Sequence, residues 1–174
     1  MRFEVERKFL IANDGWRAAV AGSRRLRDGL IGQFEGGKVR VRLDEERAWL
    51  AVKGVRVGLG RPEFEYEIPR ADGQAMLAGV CRGCVIEKVR HCVPHAGLVW
   101  TVDVFEGDLA GLVLAEVELE REEQPLALPD WAGAEVSGDL RFRQTTLLQL
   151  RAALGRPLRL ADIVDNPRVP PQAR

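Results

Sequence analysis

A chain of 174 residues, 46% of them hydrophobic, can bury one core of ordinary size, and no glycine- or serine-rich linker or low-complexity block divides it. Lysine plus arginine equals aspartate plus glutamate at 26 each, which excludes the surplus positive charge of a general nucleic-acid binder. No apolar run approaches the roughly 20 residues of a membrane-spanning helix, and the first motif begins at residue 4, so a cytoplasmic protein without a signal peptide is expected.

The first element is Glu4-Val5-Glu6-Arg7-Lys8, whose period of two puts both carboxylates and the lysine on one face of a strand. Packing that face against a core would strand three charges, so it must line something wet. Asn13 or Asp14 can cap a short helix running through Val20. Val39-Arg-Val-Arg-Leu43 then alternates basic with apolar residues, and Trp49-Leu-Ala-Val-Lys53 ends a further strand. Glu63, Glu65 and Glu67 alternate with Phe64, Tyr66 and Ile68. Ala71-Asp72 can open a second helix, through Leu77 to about Gly79. Lys88 and Arg90 flank Val89, and Glu116, Glu118 and Glu120 flank Val117 and Leu119. Residues 122–131, with Pro125 and Pro129, read as a loop. Ser137 or Asp139 begins a C-terminal helix carrying Leu147, Leu148, Leu150 and Leu154. Arg141 and Arg143 sit near its start, within reach of a cavity mouth or as plain surface arginines. Past Gly155, the prolines 157, 167, 170 and 171 suggest a short element and a tail.

A single strand of this kind reads as the solvated face of an ordinary antiparallel sheet. The set reads differently. Solvent faces mix polar residue types, whereas these strands repeat Glu-x-Glu or Arg-x-Arg in blocks of one sign, and like charges two residues apart repel without serving the fold. Together the blocks describe acidic and basic walls of one cavity. Paired carboxylates beside cations suit a hard metal and a phosphate-bearing ligand. Cys81-x-x-Cys84 with His91, Cys92 and His95 suggests zinc only weakly, because His91 and Cys92 are consecutive on a strand and point to opposite faces. Reduced thiols without a function are the expectation.

In this order, with these apolar neighbours, the motifs resemble the CYTH superfamily, the triphosphate tunnel metalloenzymes, from Phe3 to about Leu150. The resemblance rests on Glu4-x-Glu6-x-Lys8, Val39-Arg-Val-Arg-Leu43, Leu50-Ala-Val-Lys-Gly54 and Arg61-Pro-Glu-Phe-Glu-Tyr-Glu67. It continues through Ile86-Glu-Lys-Val-Arg90, Val102-Asp-Val-Phe105, Leu114-Ala-Glu-Val-Glu-Leu119 and Glu135-Val-Ser-Gly-Asp-Leu-Arg-Phe142. It implies a mainly β, α+β fold: a closed antiparallel eight-stranded β-barrel, open at both ends, with the charges turned inward and helices packed outside. Residues 1–155 would form that domain and 156–174 a C-terminal extension. Val5, Val41, Val52, Tyr66, Val89, Val117 and Leu119 would then face outward against helices.

The resemblance also implies roles. Lys8, Arg40, Arg42, Lys53, Lys88 and Arg90 would grip a linear triphosphate, arginine by its planar fork and lysine as a point charge. Glu4, Glu6, Glu116 and Glu118, with Asp103 as a further candidate, would hold Mg²⁺ or Mn²⁺. Lys88 beside Arg90 is the candidate base for an attacking water. Two departures stand out: many bacterial relatives carry Gly-Tyr-Leu where this chain has Gly29-Leu30-Ile31, and an Arg-Tyr-x-Asn run appears as Arg141-Phe-Arg-Gln144. The superfamily includes inorganic and thiamine triphosphatases, class IV adenylyl cyclases and RNA 5′-triphosphatases. Organic substrates need a pocket for a ring, and Trp49, Tyr66, Trp100 and Trp131 form no evident stacking set. Hydrolysis of tripolyphosphate to pyrophosphate and phosphate is the first reading. A cyclase, a thiamine or nucleoside triphosphatase, or a triphosphate-binding module without turnover are the alternatives, and oligomeric state is left open.

Overall fold

A computed structural model describes residues 3–81 and 85–166. Nine strands follow the alternating segments: β1 (Phe3–Ile11), β2 (Gly22–Phe34), β3 (Gly37–Leu43), β4 (Ala48–Lys53), β5 (Gly60–Ile68), β6 (Ile86–His95), β7 (Leu98–Glu106), β8 (Val113–Leu119) and β9 (Ala132–Glu135). The helices are α1 (Arg70–Gly79), α2 (Gln144–Leu154) and α3 (Leu160–Val164), with 3-10 turns at Asp14–Ala19, Gly107–Leu109 and Leu140–Phe142.

All named pairings are antiparallel, in the order β5-β4-β3-β2-β6-β7-β8-β1, and β5 returns to β1 to close an eight-stranded ring. The closing seam is short. One edge of β1 pairs with β5 only at Phe3, Glu4 and Val5, and farther along the same strand β9 pairs at Phe9 and Ile11. The ninth strand therefore covers the stretch of β1 that β5 leaves open, which removes an exposed edge.

The register sorts the side chains as the alternation requires. Glu4 faces Arg61, Glu6 faces Glu118, and Lys8 faces Glu116 across neighbouring strands. Asp28 faces Arg42, Leu26 faces Lys88, and Arg90 faces Asp103. The outward set carries the core. Val5, Phe9, Val93, Trp100, Val102, Ala115, Val117 and Leu119 form one cluster, closed over by Trp16 from the first 3-10 turn and Trp131 from the loop before β9. Asn13 accepts a hydrogen bond from Gly15 N, so the expected cap is present, on a 3-10 turn rather than an α-helix. On the other side α1 packs Leu77 against Val41, Leu43 and Ala48.

Four expectations need correction. Tyr66 faces outward but is 58% exposed, because α1 covers β3 and β4 and reaches β5 only at Ile68, leaving Phe64 and Tyr66 uncovered. Trp100 and Trp131 do meet, edge-on with ring centroids 5.3 Å apart, yet they do so in the outer core where no ligand reaches. The ring is also not open at both ends. Along one rim the inward positions turn apolar, and Ile86, Phe105 and Leu114 pack with Phe142 and with Leu147 of α2, so the C-terminal helix caps that end. That helix begins later than its sequence suggests: Asp139 caps the 3-10 turn by accepting from Arg141 N, and α2 starts at Gln144. Leu158 and Ile163 are buried in the same cluster, so the segment after Gly155 contributes to the cap. Pro167, Pro170 and Pro171 lie outside the described residues, and so does Cys84. No helix among the described residues is long and apolar enough to cross a membrane.

Candidate functional site

The inward faces enclose a cavity of about 740 Å³. Basic side chains outnumber acidic ones on its walls. Every candidate named from the sequence lines it except Asp103: Glu4, Glu6, Lys8, Arg40, Arg42, Lys53, Lys88, Arg90, Glu116 and Glu118.

Asp103 lies behind that wall. It is 1% exposed, receives two hydrogen bonds from Arg90, each 2.7 Å, and a third from Lys88 Nζ at 2.5 Å. Asp28, which the sequence analysis passed over, does the same for the basic strand beside it. It is 2% exposed, accepts both prongs of Arg42 at 2.7 and 2.8 Å, and lies 3.5 Å from Arg40 and 3.8 Å from Lys88. Burial alone would push both carboxyls up; Arg42 and Arg40 around Asp28, and Lys88 and Arg90 around Asp103, reverse this and hold both below the usual range. Two anionic anchors thus fix the forks of Arg42 and Arg90 from behind and leave the rest of each guanidinium toward the cavity.

Nearer the open part of the ring the carboxylates are themselves on the wall. Glu4 accepts hydrogen bonds from Lys53 at 3.1 Å and Arg61 at 2.6 Å, and despite burial these cations keep it ionised far below the ordinary carboxyl range. Glu116 takes Lys8 at 2.9 Å and Arg90 at 2.8 Å; burial opposes its charge, and those two cations again carry it well below normal. Glu6 has Arg56 at 3.8 Å. Glu118, directly across from Glu6, makes no ion pair within 4 Å among the described residues. Burial first, and then the charges of Glu4 and Glu6, raise its carboxyl. Two glutamates opposed across adjacent strands with a third nearby are a repulsive arrangement that a bound cation would relieve.

The lysines differ among themselves. Lys8 is raised, since Glu116 and Glu6 outweigh its burial. Burial and then Arg90 bring Lys88 down to about 8 in spite of Asp103. Lys38, absent from the sequence candidates, also lines the cavity and falls to about 7 through burial and the neighbouring Arg61, Arg40, Lys53 and Lys8. Arg56 and Arg61 join the lining as well, and so does Arg143, whereas Arg141 is turned away onto Asp139 and the Val164 carbonyl. The signal for Lys38 and Arg61 was available: each shares strand parity with residues already singled out, Arg40 and Arg42 for the one, Glu63 and Glu65 for the other. Glu63, set beside the basic strands, accepts from Lys53 at 2.8 Å. His91 points outward against Trp16, centroids 5.0 Å apart, and Cys92 lies on the opposite face as expected. Among the described residues no three His, Cys, Asp or Glu side chains stand ready-made as a metal cage.

Known proteins share this arrangement. The model of the CYTH domain matches residues 2–149. A protein of Acetivibrio thermocellus named inorganic triphosphatase is 38% identical over 146 residues, covering 84% of this chain and 93% of the relative. A Nitrosomonas europaea protein of the same name is 34% identical over 151 residues, covering 83% and 95%. A crystal structure of an inorganic triphosphatase superposes with a TM-score of 0.58 at 29% identity, covering 85% of this chain and 95% of that one. With the ring, the charged interior and the match over most of its length in agreement, the chain belongs to the CYTH domain family.

Proposed function

We propose that this chain hydrolyses inorganic triphosphate, with tripolyphosphate giving pyrophosphate and phosphate, inside the charged cavity of the ring. The observation that carries the reading is the cavity itself: a basic wall whose arginine forks are fixed from behind by Asp28 and Asp103, facing four glutamates on β1 and β8. The names of the two curated relatives support it. Lys8, Arg40, Arg42, Lys53, Lys88 and Arg90 spread positive charge along a polyanion that would otherwise have to be desolvated unpaired. Because their heads are pre-positioned, little ordering remains to be done when the ligand enters.

Glu4, Glu6, Glu116 and Glu118 are the proposed holders of Mg²⁺ or Mn²⁺. The donor set fits a hard cation, being carboxylate oxygen throughout, and the opposed Glu6 and Glu118 have charge left to satisfy. A bound ion would offset the charge that develops on the transferring phosphoryl group. Asp103, with its oxygens committed to Arg90 and Lys88, is assigned to holding those cations rather than to the metal. Water attacks the terminal phosphorus, its proton passes to a base, and the bridging P–O bond breaks to release pyrophosphate. Lys88, near 8, is the proposed base. If Lys88→Met turns over at the wild-type rate with substrate saturating, Lys88 is a binding cation only.

The deciding experiment is phosphate release from tripolyphosphate, ATP and thiamine triphosphate with Mg²⁺, with Mn²⁺ and with EDTA, comparing wild type with Glu4→Gln/Glu6→Gln. Metal-dependent release from tripolyphosphate, lost in the double variant, is the expected result. Tight tripolyphosphate binding without release would move the reading to a cyclase or a binding module.

A further inference from the structure

Lys38 is the one cavity lysine with no ion pair within 4 Å among the described residues. Lys8 has Glu116 at 2.9 Å, Lys53 has Glu63 at 2.8 Å and Glu4 at 3.1 Å, and Lys88 has Asp103 at 2.5 Å. Lys38 makes no ion pair within 4 Å there. Its register partners are Gln33 on β2, which is uncharged, and Lys53 on β4, which is cationic. Two residues along its own strand, and on the same face, stands Arg40, whose buried Nε also has no partner. Arg61 on β5 and Lys8 on β1 add positive charge from across the cavity. From α2 only uncharged side chains reach the same space, among them Gln144, Thr145 and Gln149. The carboxylates nearest this cluster are shared with other cations: Glu4 with Lys53 and Arg61, Glu63 with Lys53, Glu65 with Arg40 at 3.8 Å, and Asp28 with Arg42 and Arg40.

We propose that Lys38 is largely without its proton above neutral pH in the free protein and takes one up as a triphosphate enters, so that substrate binding is coupled to proton uptake at this one side chain. The inference rests on the triphosphate reading of the cavity. An ammonium among four cations, partly desolvated and lacking a counter-ion, is the form that electrostatics disfavours; a polyanion placed among the same groups reverses the balance. Burial and those cations bring the amine to about 7 in the free protein. Phosphate oxygens within reach raise such a group by about one to three units, which restores the ammonium across the neutral range. The proton comes from the medium, settles on the amine lone pair, and leaves with the products. Lys38 is then a binding group whose charge is completed by what it binds. Affinity for triphosphate consequently declines with rising pH above neutrality more steeply than permanently charged arginines alone would give.

The test is calorimetric titration of tripolyphosphate into the protein in EDTA, which prevents turnover, in two buffers of different ionisation enthalpy. The slope of observed enthalpy against buffer enthalpy gives protons taken up per ligand. Tripolyphosphate and Lys88 titrate in the same range, so the quantity to read is wild type minus Lys38→Met, and Lys38→Gln repeats the comparison if the methionine variant folds poorly. With the amine near 7 and a two-unit rise on binding, the difference is about 0.8 proton per site at pH 8 and about 0.5 at pH 7. Lys38→Arg, which keeps its charge, binds with the wild-type excess of uptake abolished. Tripolyphosphate binding with equal proton uptake in wild type, Lys38→Met and Lys38→Gln would overturn the proposal. Failure of tripolyphosphate to bind the wild type would overturn the reading of the cavity, and this proposal with it.

Discussion

Replacing Asp103 by asparagine separates two roles that one carboxylate could have. As an anchor, Asp103 neutralises Arg90 and Lys88 from a position 1% exposed and holds them at 2.5 to 2.7 Å. Breaking a buried ion pair on one side costs about 3–5 kcal/mol, because the partner stays buried and uncompensated. Two features soften the loss. Arg90 keeps Glu116 at 2.8 Å, and Lys88, already brought to about 8 by burial and Arg90, can shed its proton once Asp103 no longer holds it. The lower end of that range, about 3 kcal/mol, is therefore expected, and for a chain of this size it corresponds to a melting temperature lower by roughly 6–12 °C. The assay is thermal unfolding followed by circular dichroism at pH 7.5, in EDTA and again in Mg²⁺, with the Mg²⁺ midpoint for tripolyphosphate hydrolysis measured alongside. An anchor gives the same loss with and without metal. A metal ligand gives a raised Mg²⁺ midpoint and no loss in EDTA. A decrease under about 2 °C in EDTA would refute the reasoning, since the buried triad would then contribute far less than its geometry demands.

Two further outcomes follow from the same structure. Gly29→Ala places a methyl carbon against Cys81 Sγ and 2.5 Å from Leu77 Cδ2, so the Cys81 and buried Leu77 side chains must move aside. A loss of about 1–3 kcal/mol in urea unfolding is expected, and Gly32→Ala, with nothing within 4 Å, is the matched control. Acid stability should depend on the anchors. Asp28 titrates below its unfolded value, so its contribution is complete above about pH 4 and disappears as pH falls through the folded value; the urea midpoint of Asp28→Asn should fall less steeply with acid than the wild type, Glu4, Glu116 and Asp103 keeping their shares, while starting lower at pH 7. An unchanged acid limb would show that another group governs acid unfolding.

Much of this was legible because a strand writes its two faces into sequence with a period of two. Glu4, Glu6 and Lys8, or Arg40 and Arg42, could be placed on one face of one strand before any tertiary information, and the ring then had to turn those faces together. What the period cannot encode is depth along the ring. Asp103 shares parity with cavity residues yet lies behind them, because its strand meets β6 where Arg90 and Lys88 close over it. Asp28 was missed for a related reason: β2 presents Arg24, Leu26, Asp28 and Leu30 inward, a mixed face with no block of one sign to draw attention. The capped end was equally hidden. Ile86, Phe105 and Leu114 continue the charged faces in register, and only the docking of α2 and Phe142 onto them reveals that the interior changes character there. Tyr66 shows the limit in the other direction, since an outward parity says nothing about whether a helix is available to cover it.

The distribution of charge pairs along the ring carries the functional argument further than the charges themselves. Toward the capped end the strand cations Arg42, Arg90 and Lys88 have buried counter-ions: Arg42 on Asp28, and Arg90 and Lys88 on Asp103. These pairs cost desolvation and are weak evidence of stability, so the outward clusters around Trp16, Trp100 and Leu77 must carry the fold. What the buried aspartates supply is direction, holding the arginine forks toward the cavity. In the open part of the ring pairing is incomplete among the described residues: Lys38 makes no ion pair within 4 Å, Arg40 Nε has no acceptor, and Glu118 faces Glu6. Unsatisfied positive and unsatisfied negative groups coexist in one cavity and are kept from cancelling by strands that fix their separation. Local rearrangement cannot relieve both; a ligand that brings phosphate oxygens to one wall and a divalent cation to the other does. That complementarity, rather than net charge, is why a neutral chain can present a site for a metal-bound polyanion.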